Sequence, residues 1–196
     1  MNMPTLTQPR SPWVVFTSKD DPWVAAQTEE LDAQGGFVCR LDGRQMLQPP
    51  HLFLTFAQEL SFPSYFGHNW DALVDCLHDW HGPGHGAHGV AILIDNADAL
   101  LDADFLGIFV SVLCQAAWNA NLRLDADGIP DEDRPQFALH FVFILRDTPA
   151  TAFAESAAKG MDVSVTLADG RLIATLSGSD WPGADPTYLP KMPPQL

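Results

Sequence analysis

The sequence predicts an α/β domain with a parallel β-sheet flanked by helices. Two observations lead to this fold class. Two short apolar runs, at 90–95 (VAILID) and 140–145 (HFVFIL), are typical of strands covered on both faces. Segments with helical apolar spacing alternate with the strand segments, which predicts parallel strands joined by right-handed crossovers.

The elements before residue 61 follow in order. Residues 13–17 (WVVFT) predict a short edge strand, and Asp21-Pro22 opens a predicted helix at 23–33. A strand at 37–41 comes next, ended by an Asp-Gly turn, and residues 51–60 predict a short helix. The first 35 residues therefore add one strand and one helix to the core.

Residues 62–80, FPSYFGHNWDALVDCLHDW, form the most unusual segment. Pro63, which lacks an amide proton, and Gly67, which permits unusual backbone angles, predict a loop. Asn69 is a good N-cap for a helix that ends at about residue 79 or 80. On a helical wheel one side gathers Trp70, Leu73, Val74, Leu77 and Trp80. Another side gathers His68, Asp71, Asp75, His78 and Asp79.

The later elements are a helix at 105–119, the strand at 140–145 and additions in 150–196. Those additions comprise a short helix, a hairpin turning at Asp169-Gly170, and a Pro-rich tail.

The 62–80 segment resembles the signature of the barstar family of ribonuclease inhibitors. The gapless match comprises Pro63, Tyr65, Gly67, Asn69, Asp71, Ala72, Leu73, Asp75, Cys76, Leu77 and Trp80. The resemblance implies a three-stranded parallel sheet flanked by helices, with the family core at about 36–147. We expect one domain over 1–196, with 1–35 and 150–196 as extensions.

The same resemblance implies an inhibitor without catalytic activity, which blocks the active site of a basic bacterial ribonuclease and protects the producing cell. It places Asp75 as the central anion, with Asp71 beside it. The partner-binding residues it implies are Tyr65, Gly67, Asn69, Asp71, Val74, Asp75, His78, Asp79 and Trp80.

Several positions depart from the family pattern. Val74 replaces a contact tryptophan, His68 replaces an acid, and residues 113–117 lack a family glutamate. An acidic insertion at 125–133 is interpreted as a solvated loop or as a replacement contact. These departures leave open an immunity protein for a toxin unrelated to barnase.

The charge balance favours a basic protein partner. The chain has 10 Lys+Arg against 25 Asp+Glu, a net charge of -15, and no lysine or arginine from Gln45 through Leu122. Such a field repels nucleic acid and anionic membranes and steers basic proteins toward the surface. Solubility alone is the alternative explanation.

The remaining predictions concern compartment and cofactors. We expect a cytoplasmic, monomeric protein, because the N-terminus lacks a signal-peptide pattern and no window reaches membrane-span length. Cys39, Cys76 and Cys114 are predicted to be buried thiols rather than disulfides. No cofactor is expected, and motifs of phosphate loops, serine hydrolases and zinc proteases are absent. The His-rich loop 78–89 leaves a metal-binding protein as an alternative.

Overall fold

The computed structural model describes residues 5–80, 82–83, 87–122 and 137–177. Its strands are β1 (Val14–Ser18), β2 (Phe37–Asp42), β3 (Gly89–Asp95), β4 (Ala138–Leu145), β5 (Val163–Ala168) and β6 (Arg171–Leu176). Its α-helices are α1 (Pro22–Ala33), α2 (Pro49–Glu59), α3 (Trp70–Asp79), α4 (Leu106–Leu122) and α5 (Ala154–Ala157). Short 3-10 helices occur at Gly43–Gln45, Ala97–Leu100 and Ala150–Phe153.

The described strands form one sheet in the order β2-β3-β4-β1-β6-β5. The first four are parallel, β6 is antiparallel to β1, and β5 is antiparallel to β6. The α/β class is confirmed, and β2, β3 and β4 form a parallel core, but the described sheet has more than the expected three strands and is partly antiparallel.

The position of β1 corrects a second expectation. Instead of lying at an edge, β1 lies between β4 and β6, with Val14 opposite Phe141 on one side and Ala174 on the other. Val14, Val15 and Phe16 are almost completely buried. A continuous apolar run of this kind is typical of an interior strand rather than an edge strand.

Helices cover both faces of the sheet. On one face, α2, α3 and α4 enclose the larger core, in which Phe16 stacks on Phe143 at 4.3 Å between ring centroids. On the other face, Trp23 and Leu31 of α1 cover apolar side chains of β1, β3 and β4. The N-terminal addition therefore closes a face that the central strands would otherwise leave open to water.

The predicted hairpin is confirmed. Ala168 pairs with Arg171, and the two residues between them, Asp169 and Gly170, have φ values of 50° and 77°. Two positive φ angles fit the two-residue type I′ turn, whose twist matches that of the flanking strands.

A buried ion pair joins the hairpin to the N-terminal addition. Arg171 Nε and Nη2 donate to the Asp21 carboxylate at 2.6 and 2.8 Å, and the guanidinium lies 5.1 Å from the Trp23 ring centroid. The Asp21 carboxylate also accepts from the Trp23 amide and caps α1. This ion pair adds to the β1–β6 strand pairing that joins the N-terminal and C-terminal parts of the described chain.

Several predicted features lie outside the described residues: the acidic insertion at 125–133, the Pro-rich tail after 177, and His81 and His85 of the His-rich loop. Within the described residues, none of the helices combines the length and the apolar character needed to span a bilayer.

Candidate functional site

The loop before α3 is anchored by one buried ring. Phe66 is 5% exposed and contacts Phe62 and Phe53, at 5.1 and 6.4 Å between ring centroids. Its neighbour Tyr65 is 82% exposed. The loop therefore presents a large aromatic side chain to solvent while its own backbone is held to the core by Phe66.

The backbone of this loop differs from the sequence expectation in one detail. The positive φ of 51° falls on His68, not on Gly67. A Cβ at position 67 would lie 3.0 Å from Asn69 Nδ2, so a larger residue there would press on the side chain that caps α3. Asn69 caps α3 as predicted, its Oδ1 accepting from the Ala72 amide at 2.8 Å.

The outer face of α3 carries three exposed carboxylates, on Asp71, Asp75 and Asp79. Asp71 lies in the first turn, where the helix dipole favours a negative charge. Asp75 lies one turn later, beyond that effect. Within the described residues Asp75 has neither a side-chain hydrogen bond nor an ion pair. Helix stability therefore does not account for the Asp75 carboxylate.

The expectation that His78 shares this exposed face is wrong. His78 is 3% exposed, and its Nε2 lies 3.2 Å from Asp79 Oδ1. It follows Val74 by one helical turn, and Val74 is itself 8% exposed. Residues four apart lie on the same side of a helix, so His78 shares the buried side with Val74. Both residues leave little surface for a partner.

A groove of about 440 Å³ opens between the C-terminal end of α2, the 62–67 loop, α3 and the start of β2. Its acidic lining residues are Glu59, Asp75 and Asp79, and its aromatic ones are Phe37, Phe62, Tyr65 and Trp80. No lysine or arginine lines the groove within the described part of the chain.

The carboxylates of the groove contribute to raised thiol pKa values at two cysteines. Burial and then the charge of Glu59 raise the pKa of Cys39 to about 11. Burial, followed by the charges of Asp75 and Asp79, also raises the pKa of the half-buried Cys76. Both thiols remain protonated at neutral pH, and the carboxylates that oppose their ionisation favour a bound cation instead.

The family model Barstar (barnase inhibitor) matches residues 36–141, more than half of the 196-residue chain. The chain belongs to the barstar family. The matched span contains β2, α2, the loop and α3, and thus every residue that lines the groove. Among curated proteins, none matches the chain.

The structure brings together only part of the barstar-type site predicted from the signature. Tyr65, Asp75, Asp79 and Trp80 line the groove. Gly67, Asn69 and Asp71 are exposed beside it, at the loop and the first turn of α3, while Val74 and His78 are buried. The signature thus forms a surface around Asp75, with two of its nine predicted members turned inward.

Sequence reasoning missed Glu59, Phe37 and Phe62. Glu59 is the last residue of α2, where the helix dipole disfavours a carboxylate and no basic residue occupies the last turn. That unfavourable position is a signal that the sequence offered. Phe37 is brought to the groove only by the fold, since its ring lies 5.6 Å from that of Trp80, 43 positions later (37 to 80).

A metal site finds no support in the part of the chain that the structure describes. No group of three or more His, Cys, Asp or Glu side chains there has a geometry that could hold an ion. The three described thiols form no disulfide; Cys39 and Cys114 are buried and Cys76 is half-buried.

Proposed function

We propose that the protein is an inhibitor of a basic bacterial ribonuclease of the barnase type, and that it blocks the active site of that enzyme without catalysing a reaction. The observation that carries the proposal is Asp75, an exposed carboxylate without a described partner, on the signature helix of a barstar-family chain.

The chemistry of the two surfaces is complementary. A ribonuclease binds the phosphates of RNA with basic side chains, and a carboxylate on a rigid helix occupies such an anion site. Asp75 takes the central position, with Asp71, one turn earlier, beside it. Exposed Tyr65, Gly67 and Asn69 lie next to these acids and form the rim that excludes water.

The test is inhibition of RNA cleavage. Purified chain is titrated into barnase and into a second basic ribonuclease of the same class, and initial rates are followed with a fluorogenic RNA. We expect stoichiometric inhibition of at least one enzyme and a 1:1 complex in size-exclusion chromatography with light scattering. The chain alone should leave the RNA uncut.

Full activity of both enzymes, with no complex formed, would overturn the proposal. Binding to a toxin without ribonuclease activity through the same α3 face would then favour the alternative immunity role. Burial of Val74 is the structural feature that favours that alternative, because it removes an exposed contact from the centre of the face.

A further inference from the structure

The face of the sheet that α1 covers continues onto the C-terminal hairpin. The apolar side chains of α1 pack over β1, β3 and β4, and within the described residues no member of that smaller cluster comes from β5 or β6. Three apolar residues of β6 belong to the larger core on the opposite face: Leu172, Ala174 and Leu176. Since side chains alternate along a strand, Arg171, Ile173 and Thr175 lie on the α1 side.

Strand β5 extends this surface. Ser164 pairs with Thr175 and Thr166 pairs with Ile173, and directly opposed residues of antiparallel strands lie on the same face. Thr166 is exposed, and Ile173 is half-buried. Together with Arg171, these four residues form a mixed polar and apolar surface beside α1, which we call the hairpin face.

Two polar atoms of the hairpin face are buried without a hydrogen-bond partner. They are Arg171 Nη1 and Thr175 Oγ1. The Asp21 carboxylate accepts only from Nε and Nη2 of Arg171, which leaves Nη1 unpaired. A buried donor without a partner is unfavourable, and nearly all buried polar groups in folded proteins have one. The hairpin face therefore needs an acceptor that the described residues do not supply.

The Pro-rich tail (residues 178–196) starts beside the hairpin face, because β6 ends at Leu176. Five of its nineteen residues are prolines, which lack an amide proton and favour polyproline II, a conformation whose carbonyl groups remain free to accept. At about 3.1 Å per residue such a chain reaches about 59 Å, whereas the six residues of β6 span about 20 Å. The tail also carries five large apolar side chains: Trp181, Tyr188, Leu189, Met192 and Leu196.

We propose that the tail packs on the hairpin face of its own chain, with tail carbonyl groups accepting from Arg171 Nη1 and Thr175 Oγ1. The apolar side chains of the tail cover Ile173 and continue the layer that α1 begins. The tail docks on this face rather than along the open edge of β5, because each proline would remove a hydrogen bond from a strand ladder. The hairpin face lies outside the matched span 36–141, so its occupation does not depend on ribonuclease inhibition.

Photo-cross-linking in the full chain tests this contact. Thr166 is replaced by p-benzoylphenylalanine, and an equal mixture of ¹⁴N-labelled and ¹⁵N-labelled protein is irradiated and analysed by mass spectrometry. Thr166 is exposed, so the fold should tolerate the change. We expect cross-links to residues 178–196 in which both peptides carry the same isotope. The same replacement at exposed Leu167, on the opposite face of β5, should give about tenfold fewer tail cross-links, because neighbouring side chains point to opposite faces.

A second variant tests the hydrogen bond. Thr175→Val should lower tail cross-linking from position 166 about fivefold, as expected for one lost hydrogen bond. Thr151→Val, the same change at an exposed position, should leave the yield unchanged. An unchanged yield with Thr175→Val would overturn the assigned hydrogen bond.

Two other results would overturn the docking of the tail itself. Cross-links that join peptides of different isotopes would show that a second copy of the chain covers the hairpin face. Equal yields of tail cross-links from positions 166 and 167, or none from either, would show that the tail does not dock there. Each of these results would leave the proposed inhibition untouched.

Discussion

At the scale of single residues, substitution of Asp75 is expected to weaken binding without affecting folding. Its carboxylate is exposed, so Asp75→Ala should create no core cavity and leave the melting temperature unchanged. In the complex the same change leaves basic groups of the ribonuclease buried and unpaired, at a cost of about 2–5 kcal/mol. Isothermal titration calorimetry and thermal melts measure both effects.

The matched control for Asp75→Ala is Asp32→Ala, the same change at an exposed position on α1. It should leave the affinity unchanged and should not lower the melting temperature, because a carboxylate in the last turn of a helix is unfavourable. A lowered melting temperature for Asp75→Ala, or an affinity equal to that of the control, would show that Asp75 serves the fold instead.

Asp98, unlike Asp75, is expected to stabilise the fold. Its carboxylate accepts from the amides of Arg146, Asp147 and Thr148, at 2.8, 3.1 and 2.8 Å. Burial acts to raise the pKa of Asp98, but these hydrogen bonds outweigh burial and hold the pKa below its usual value. The chain after β4 is thus fixed by one ionised side chain.

The sign of the pH dependence follows from that lowered pKa. A carboxyl that is more acidic in the fold stabilises it fully above its unfolded pKa of about 3.9, and loses that contribution as the pH falls further. Asp98→Asn should therefore destabilise the protein at neutral pH, and the gap to wild type should narrow below about pH 4. Urea unfolding at several pH values measures this gap, and exposed Asp102→Asn should show none.

At the scale of elements, the Asp21–Arg171 pair should govern the docking of the β5–β6 hairpin onto α1. The two side chains are 11% and 9% exposed. Arg171→Met leaves a buried carboxylate without its cation, which costs about 3–5 kcal/mol of unfolding free energy. The double variant Asp21→Asn, Arg171→Met should cost less, because no charge remains buried.

Urea unfolding of the single and double variants tests this prediction. The exposed pair Glu155–Lys159 provides the control, and Glu155→Gln should change the unfolding free energy by no more than about 0.5 kcal/mol. A single variant as stable as wild type would show that strand pairing between β6 and β1, together with apolar contacts, is enough to dock the hairpin.

Some elements of the fold could be predicted from the sequence, and others could not. Strands β3 and β4, α3 and the 169–170 hairpin were predictable because local patterns specify them: apolar runs, an Asn cap and an Asp-Gly turn. Strand neighbours were not predictable, because β1 meets β4 and β6 through contacts more than 120 positions away in sequence. The same limit applies to the groove, whose walls come from three stretches of sequence, at 37, 59–65 and 75–83.

Within α3, the prediction from sequence was wrong at the boundary between the acidic face and the apolar face. Asp71 and Asp75 lie clearly on one side, whereas His78 lies where the acidic and apolar arcs meet. Its polarity favoured exposure, but its position one turn after buried Val74 decided the outcome. A wheel built from residue types alone cannot resolve such a position.

At the scale of the whole molecule, the net charge of -15 should act mainly on the rate of association. Screening shortens the field to about 8 Å near physiological salt, so the association rate constant with the ribonuclease should fall steeply as salt rises. The dissociation rate constant should change less, because contacts in the docked complex are shielded from water. Stopped-flow measurements across a salt series separate the two.

The same stopped-flow experiment tests the contribution of the acidic insertion at 125–133. Neutralising Asp131, Glu132 and Asp133 lowers the association rate modestly if the insertion lies near the binding face. It has no effect if the insertion is only a solvated loop. An association rate that does not vary with salt would mean that the acidic surplus serves solubility.

The central position of β1 affects when this strand can fold during synthesis. A ribosome releases β1 before both of its neighbours, β4 and β6, which lie more than 120 residues further along. The apolar stretch Val14–Phe16 therefore remains unpaired until β4 has been synthesised. During that interval the nascent chain carries an uncovered strand, and the helical segments between can form first. Of the described strands, β1 is the earliest in the sequence and yet among the last that can pair.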